Sequence, residues 1–327
     1  MPPAVRRARW FVKRHSARHR AGGDPPVIVA SLPRSGSTWL MEIVATQPGM
    51  RVVNEPFYVP RFAGLAAPPL DASWEALLPA PDREARIGAY LDGLFDNRLG
   101  IGSPSPFTPQ HRFRTHRIVC KILRAHDLLE WIAARYDARV VFLLRHPVAV
   151  SVSRREHPLL DLLLASDPWC ERFLDASRRS RARAVAADGP ELDRMVLDWC
   201  LQLQPVLHAD RAGWFCLHYE DLVARPTACI DALADALGFT EREAMHRQSG
   251  VPSRSTFLSD ADTRRRLDAG GERGFLLDKW RARVAAADER RVLELAAEFG
   301  LDLYAPGAGA PARRLPGAFT PPPQAAT

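Results

Sequence analysis

Between Val27 and Val44 the chain changes character twice in quick succession. Val27-Ile28-Val29-Ala30 is an apolar, β-branched run without alternation, the pattern of a strand buried on both faces. A polar turn, Pro33-Arg34-Ser35-Gly36-Ser37, follows it, and Thr38 to Val44 read as a helix. Strand, glycine-bearing turn and helix in direct sequence set the N–H groups of a helix N-terminus beyond a strand end, where they can cradle a phosphate. No other feature restricts the fold as much.

The rest of the chain repeats the alternation. Strands are expected at residues 51–57, 117–123, 139–144 and 214–218, the first of them ending at Asn54-Glu55-Pro56. Helical patterns occupy residues 82–98, 126–136, 171–187, 190–209, 226–237 and 288–299, and Pro147 is well placed as the first residue of a helix. Such a series calls for an α/β fold, a central parallel sheet flanked by helices, with a P-loop-like first turn. One domain over residues 25–304 is expected, with a basic flexible arm at 1–24 and a disordered Ala/Gly/Pro-rich tail at 305–327. Ligands of such sheets sit beyond the carboxyl ends of the strands. Arg34, Glu55, Arg145 and Tyr219 each follow a strand directly, and Lys121 lies within one, so the five should gather at one edge.

Charge places the basic character in the arm. The net charge is +7, and Arg6, Arg7, Arg9, Lys13, Arg14, Arg18 and Arg20 precede any acid; without them basic and acidic residues balance at 38 each. Such an arm can touch nucleic acid or an anionic membrane, although a solvated tail is the commoner case. No nucleic-acid partner is expected, and peripheral membrane contact by the arm stays open. Residues Cys120, Cys170, Cys200, Cys216 and Cys229 are odd in number and lack a C-x-x-C pair, which argues against a disulfide framework or zinc site. With no apolar segment of membrane length and no secretory pattern, a cytoplasmic location is expected. Lysine is confined to Lys13, Lys121 and Lys279 against 42 arginines, which draws attention to the latter two lysines.

The first turn differs from the phosphate loop of nucleotide kinases. Ser31 stands where the first glycine of G-x-x-x-x-G-K-[ST] would be, and Ser37 stands where its lysine would be. The strand at 139–144 ends in Arg145, not in an aspartate that would help hold magnesium. Backbone N–H groups, the hydroxyls of Ser35, Ser37 and Thr38, and Arg34 can still grip a phosphate. A second anion site is legible in Arg145 and Ser153: an arginine fork at a strand end, and a serine two turns into the following helix.

Leu32-Pro33-Arg34-Ser35-Gly36-Ser37-Thr38-Trp39 resembles the 5′-phosphosulfate loop of sulfotransferases, with arginine where the carbohydrate and tyrosylprotein branches also have it. Arg145 and Ser153 resemble the pair that binds the 3′-phosphate of 3′-phosphoadenosine 5′-phosphosulfate (PAPS) in that family. The resemblance implies that Trp39 lies against the adenine and that Tyr219, in Tyr219-Glu220-Asp221, lies near it. Ser253-Arg254-Ser255-Thr256 and Asp278-Lys279-Trp280 resemble the late segment that covers the nucleotide. The likeness spans residues 27–304. It implies a sulfotransferase with PAPS as co-substrate, no metal, and a hydroxyl-bearing acceptor, glycans among the candidates.

In such a reaction Arg34 would hold the leaving 5′-phosphate, and Lys121 would follow the moving sulfuryl group as a compact charge. The histidine that serves as base in the cytosolic branch is missing, because Ile122 follows Lys121. Carbohydrate and tyrosylprotein branches use a glutamate after the second strand, and Glu55 occupies that place, with His116 and His126 as alternatives. The plain readings are that Glu55 pairs with an arginine and that Lys121 is a surface cation at a strand end. Residues 60–116 are expected to form the acceptor wall, with a basic cluster at His111, Arg112, Arg114, His116 and Arg117. Two other functions compete: a kinase with a degenerate loop, and a nucleotide- or nucleic-acid-binding protein without catalysis.

Overall fold

The apolar runs form the strands they predict. The computed structural model describes residues 2–20, 23–154, 159–254, 261–268 and 273–322. Among these, the strands are β1 (Arg18–His19), β2 (Val27–Ser31), β3 (Met50–Asn54), β4 (Arg114–Thr115), β5 (Arg117–Ile122), β6 (Arg139–Leu144) and β7 (Phe215–His218). β1 and β4 make a two-stranded ribbon, and the other five form one sheet in the order β3-β5-β2-β6-β7. Every neighbouring pair in that sheet is parallel.

Burial on both faces explains why β2 does not alternate: all five of its residues are buried. Ile28 and Ala30 join Val53, Cys120 and Phe142 in a core completed by the helices at Arg83–Phe95 and Glu191–His208. Val27 and Val29 point the other way, with Val52, Val119 and Val141, toward the helices at Ser37–Val44 and Pro226–Leu237. Helices on both faces satisfy the rule that parallel sheets are covered twice.

Both ends of the chain hold more structure than composition suggests. Within residues 1–24, where a flexible arm is expected, Pro3–His15 form a helix. Trp10 meets Phe62 edge to face at 6.1 Å, and Lys13 Nζ donates to the Ser103 carbonyl. A side chain at Gly100 would come within 2.0 Å of the Trp10 carbonyl oxygen, so the helix rests directly on backbone there. In the tail, expected to be disordered, Leu315 is buried, Phe319 stacks on Phe215 at 5.5 Å, and Arg314 pairs with Asp221 at 2.8 Å. These contacts join segments far apart in sequence, which composition does not register. No helix among the described residues is long and apolar enough to cross a membrane.

Candidate active site

The carboxyl edge of the sheet collects the charged residues. After β2 the chain turns through Arg34 at φ 73° and Gly36 at φ 91°, and the helix begins at Ser37. Gly36 is a glycine for two reasons. Its left-handed backbone disfavours a side chain, and a Cβ there would lie 2.6 Å from the Tyr219 ring. The first N–H groups of the helix have no intrahelical partner. The Ser35 hydroxyl is buried and has no hydrogen-bond partner among the described residues. The donors of the loop thus fit an anion.

Lys121 is in the middle of this edge. In β5 it lies opposite Val29 of β2 and Asn54 of β3, so its side chain rises between the loop and the end of β3. Its Nζ donates to Thr38 Oγ1 at 2.9 Å and pairs with Glu55 Oε1 at 2.9 Å. The lysine side chain is 3% exposed and that of Glu55 is 29% exposed, so the carboxylate is the partner open to solvent. Lys121 is therefore not a surface cation, and the partner of Glu55 is a lysine rather than an arginine. Glu55 has φ 50°, an uncommon conformation for a side-chain-bearing residue, and its N–H donates to the Lys121 carbonyl at 3.0 Å.

Arg145 ties the loop to the far side. Its Nη1 donates to the Arg34 carbonyl at 3.0 Å and its Nη2 to the Leu276 carbonyl at 3.3 Å. The guanidinium lies over the Tyr219 ring at 4.1 Å, and burial pushes the Tyr219 hydroxyl up in pKa. Ser153 donates its hydroxyl to the Ala149 carbonyl at 2.7 Å. Trp39 Nε1 donates to the Ser249 carbonyl at 3.2 Å, and Arg273 stacks over the indole at 5.0 Å. Behind Arg145, the buried Glu220 accepts from the His146 backbone N–H at 2.9 Å and from the Tyr304 hydroxyl at 3.1 Å.

One cavity of about 1010 Å³ joins these groups, and Arg34, Ser37, Thr38, Trp39, Glu55, Lys121, Arg145, Ser153, Tyr219, Ser253 and Lys279 all line it. Lys279 Nζ also donates to Thr263 Oγ1 at 3.0 Å. Arg254 stands apart: its N–H faces Glu42 Oε1 at 3.5 Å and its guanidinium pairs with Gln110 on the outside. Ser255 lies outside the described residues.

Three expectations are corrected. No residue between 60 and 116 lines the cavity. The basic cluster there holds the N-terminal segment instead, with His111 Nε2 3.0 Å from the Ser16 carbonyl and Arg114 paired with Arg18 in the β1–β4 ribbon. His126 cannot act as a base at the cavity, because its ring nitrogens lie 3.1 and 3.2 Å from the Gln202 and Ser31 carbonyls within the core. His116 faces Asp24 at 3.8 Å and does not line the cavity either.

The wall beyond Glu55 is built from residues the sequence did not single out, namely Tyr58, Leu123, Arg124, Arg154, Asp198 and Gln202. The position of Arg124, just past the end of β5, is the one signal that could have pointed to this group.

A sequence model described as the sulfotransferase family matches residues 25–243. Among curated proteins, none matches the chain. Solved structures are similar over most of their length. The sulfotransferase domain of the Synechococcus PCC 7002 olefin synthase is 21% identical, with 87% of this chain and 98% of that one covered and a TM-score of 0.44. The sulfotransferase domain from the curacin biosynthetic pathway is 17% identical, with 84% and 99% covered and a TM-score of 0.41. Mouse sulfotransferase SULT7A1, complexed with PAP, is 14% identical, with 88% and 86% covered and a TM-score of 0.40.

Proposed function

The chain belongs to the PAPS-dependent sulfotransferase family, and from that premise we propose that it moves the sulfuryl group of PAPS to an acceptor hydroxyl with Glu55 as general base. The kinase and non-catalytic readings give way to the family assignment. The observation that carries the proposal is Lys121, whose ammonium touches the Thr38 hydroxyl of the loop and the Glu55 carboxylate at 2.9 Å each. A single cation thereby links the phosphate cradle to the only carboxylate predicted to act as base.

PAPS, when bound, supplies the sulfuryl group and a phosphate leaving group. Arg34, the loop N–H groups and the Ser35, Ser37 and Thr38 hydroxyls would hold its 5′ end, and Arg145 with Ser153 its 3′-phosphate. Trp39 and Tyr219 offer aromatic surface for the base, and Ser253 and Lys279 close the same cavity. Glu55 accepts the acceptor's hydroxyl proton as the oxygen forms its bond to sulfur. The sulfur's bond to the bridging oxygen breaks, and its electron pair stays on the departing phosphate. Arg34 and Lys121 neutralise the charge that builds on the sulfuryl and bridging oxygens. Preorganised cations at that place act without reorganising during the step.

The test is Glu55→Gln, which keeps the shape and removes the base. Turnover of PAPS should fall by about a hundredfold or more, the usual worth of general-base catalysis, with PAP affinity retained. A fully active Glu55→Gln enzyme would remove Glu55 from the role of base.

A further inference from the structure

The cavity wall holds a guanidinium, that of Arg124, with no hydrogen bond or ion pair among the described residues. Arg124 lines the wall beyond Glu55, with its guanidinium over the face of Trp74 at 4.4 Å. Its buried Nε lacks an acceptor among those residues. Most arginines within this fold are tied: Arg83 to Asp127, Arg281 to Glu289, Arg291 to Asp193, Arg314 to Asp221. Stacking on an indole fixes the plane of the guanidinium and leaves its edge as the donor surface.

The surroundings increase the demand for an anion. Arg154 lines the same wall, and its side chain is only 4% exposed. Its Nη1 pairs with Asp198, but Nε and Nη2 have no hydrogen-bond partner among the described residues. Asp198 is shared, since it also accepts from Gln202 Nε2 at 2.6 Å. Glu55, the other carboxylate on this wall, is committed to Lys121 at 2.9 Å. Burial first, and then repulsion from Arg154, lower the pKa of Arg124, and the nearby Glu55 and Asp198 carboxylates offset this only in part. A buried or half-buried cation without a partner is costly, and a site that tolerates it is built for a charge that arrives from outside.

We propose that Arg124, seconded by Arg154, is the anchor for an anionic group on the acceptor. The enzyme then sulfates a hydroxyl of a molecule that already carries a carboxylate, phosphate or sulfate. The inference rests on the reading of the Glu55 end as the acceptor end. The planar fork of Arg124 would take two oxygens of such a group, and Tyr58, which is 44% exposed on the same wall, would border the neutral part of the molecule. Charge then fixes the orientation of the acceptor and brings one of its hydroxyls to Glu55.

The experiment uses the full chain with radiolabelled PAPS and matched acceptor pairs. Glucose with glucuronate, benzyl alcohol with 4-(hydroxymethyl)benzoate, and glycerol with glycerol 3-phosphate differ within each pair in one anionic group. Calorimetric titration of each probe into the PAP-loaded enzyme runs alongside. The expected result is that charged members bind or turn over better than their neutral partners. Arg124→Gln should cut that preference by at least about tenfold, the worth of one charge-assisted hydrogen bond, through KM more than kcat, and Arg124→Lys should restore part of it. Equal use of neutral and charged members overturns the inference, as does failure of every charged member to bind the PAP-loaded enzyme. A tenfold loss of PAP affinity in Arg124→Gln also overturns it, because Arg124 would then serve the donor. If the unaltered chain binds no PAP, the sulfotransfer reading itself fails, and that outcome is read from PAP alone before any acceptor is added.

Discussion

Gly36→Ala strikes the place where backbone shape and nucleotide site coincide. Gly36 has φ 91°, and moving a side-chain-bearing residue into left-handed backbone costs about 1–2 kcal/mol. The new Cβ would also lie 2.6 Å from Cδ2 and from Cε2 of Tyr219. Tyr219 is buried under the loop and carries Arg145 on its face at 4.1 Å, so the ring can move only with the arginine. Forcing a methyl into such packing costs roughly 1–3 kcal/mol more. The sum, about 2–5 kcal/mol, corresponds to a fall in melting temperature on the order of 3–7 °C for a chain of this size. Gly213→Ala supplies the control, because Gly213 has φ 81° with nothing within 4 Å of a new Cβ. That variant should lose about 1–2 kcal/mol from the backbone alone and keep its affinity for PAP. Differential scanning calorimetry and PAP titration on the two variants separate strain from collision. If Gly36→Ala melts with Gly213→Ala and binds PAP like the unaltered protein, the Tyr219 contact does not shape the site and the reasoning is refuted.

Other expectations follow from single contacts. Arg145→Ala should weaken PAP binding by about tenfold to a hundredfold, the worth of charge-assisted hydrogen bonds; calorimetry that finds adenosine 5′-phosphate weakened as much as PAP would place Arg145 elsewhere than at the 3′-phosphate. Burial, with Arg281 and Arg145 nearby, lowers the pKa of His146 to about 3, and burial lowers that of His218 to about 4. The unfolded chain then binds more protons than the folded one below the ordinary histidine value near 6.5, so stability is full above that pH and is lost as pH falls toward 4. Burial raises the Glu42 carboxyl to about 6 and that of Glu220 as well, which offsets part of this loss, so melting curves at pH 7.5 and 5 should show a lower transition at pH 5 that falls further in Glu42→Gln; a higher transition at pH 5 in that variant would contradict the histidine account.

The strands were the most legible part of the molecule. Val27–Ser31 and Arg139–Leu144 are the middle of a parallel sheet, buried on both faces, and unbroken apolar runs of that kind occur in few other settings. Residues at strand ends were legible for the same reason: once the strands are known, Arg34, Glu55, Arg145 and Tyr219 must share an edge. Lys121 stood out because arginine had replaced lysine nearly everywhere else. The rest depends on partners distant in sequence. Nothing near Arg124 announces Trp74 as its stacking surface, and nothing near Arg154 announces Asp198, 44 residues away. The helix at Pro3–His15 was hidden by its own charge, since its docking contacts, those of Trp10, Lys13 and the Arg14 carbonyl among them, lie amid many arginines. The wall around 60–116 was misplaced because irregular sequence marks a surface segment without saying which surface it covers.

The central claim is that this edge binds a nucleotide carrying both a 5′- and a 3′-phosphate and uses it for sulfuryl transfer. Calorimetric titration of the full chain with PAP and, separately, with adenosine 5′-phosphate, both in chelator, tests it most directly. The account predicts micromolar binding of PAP, at least about tenfold tighter than adenosine 5′-phosphate, since Arg145 and Ser153 would meet a phosphate that only PAP presents. Equal affinities, or binding that appears only with magnesium and a nucleoside triphosphate, would contradict it.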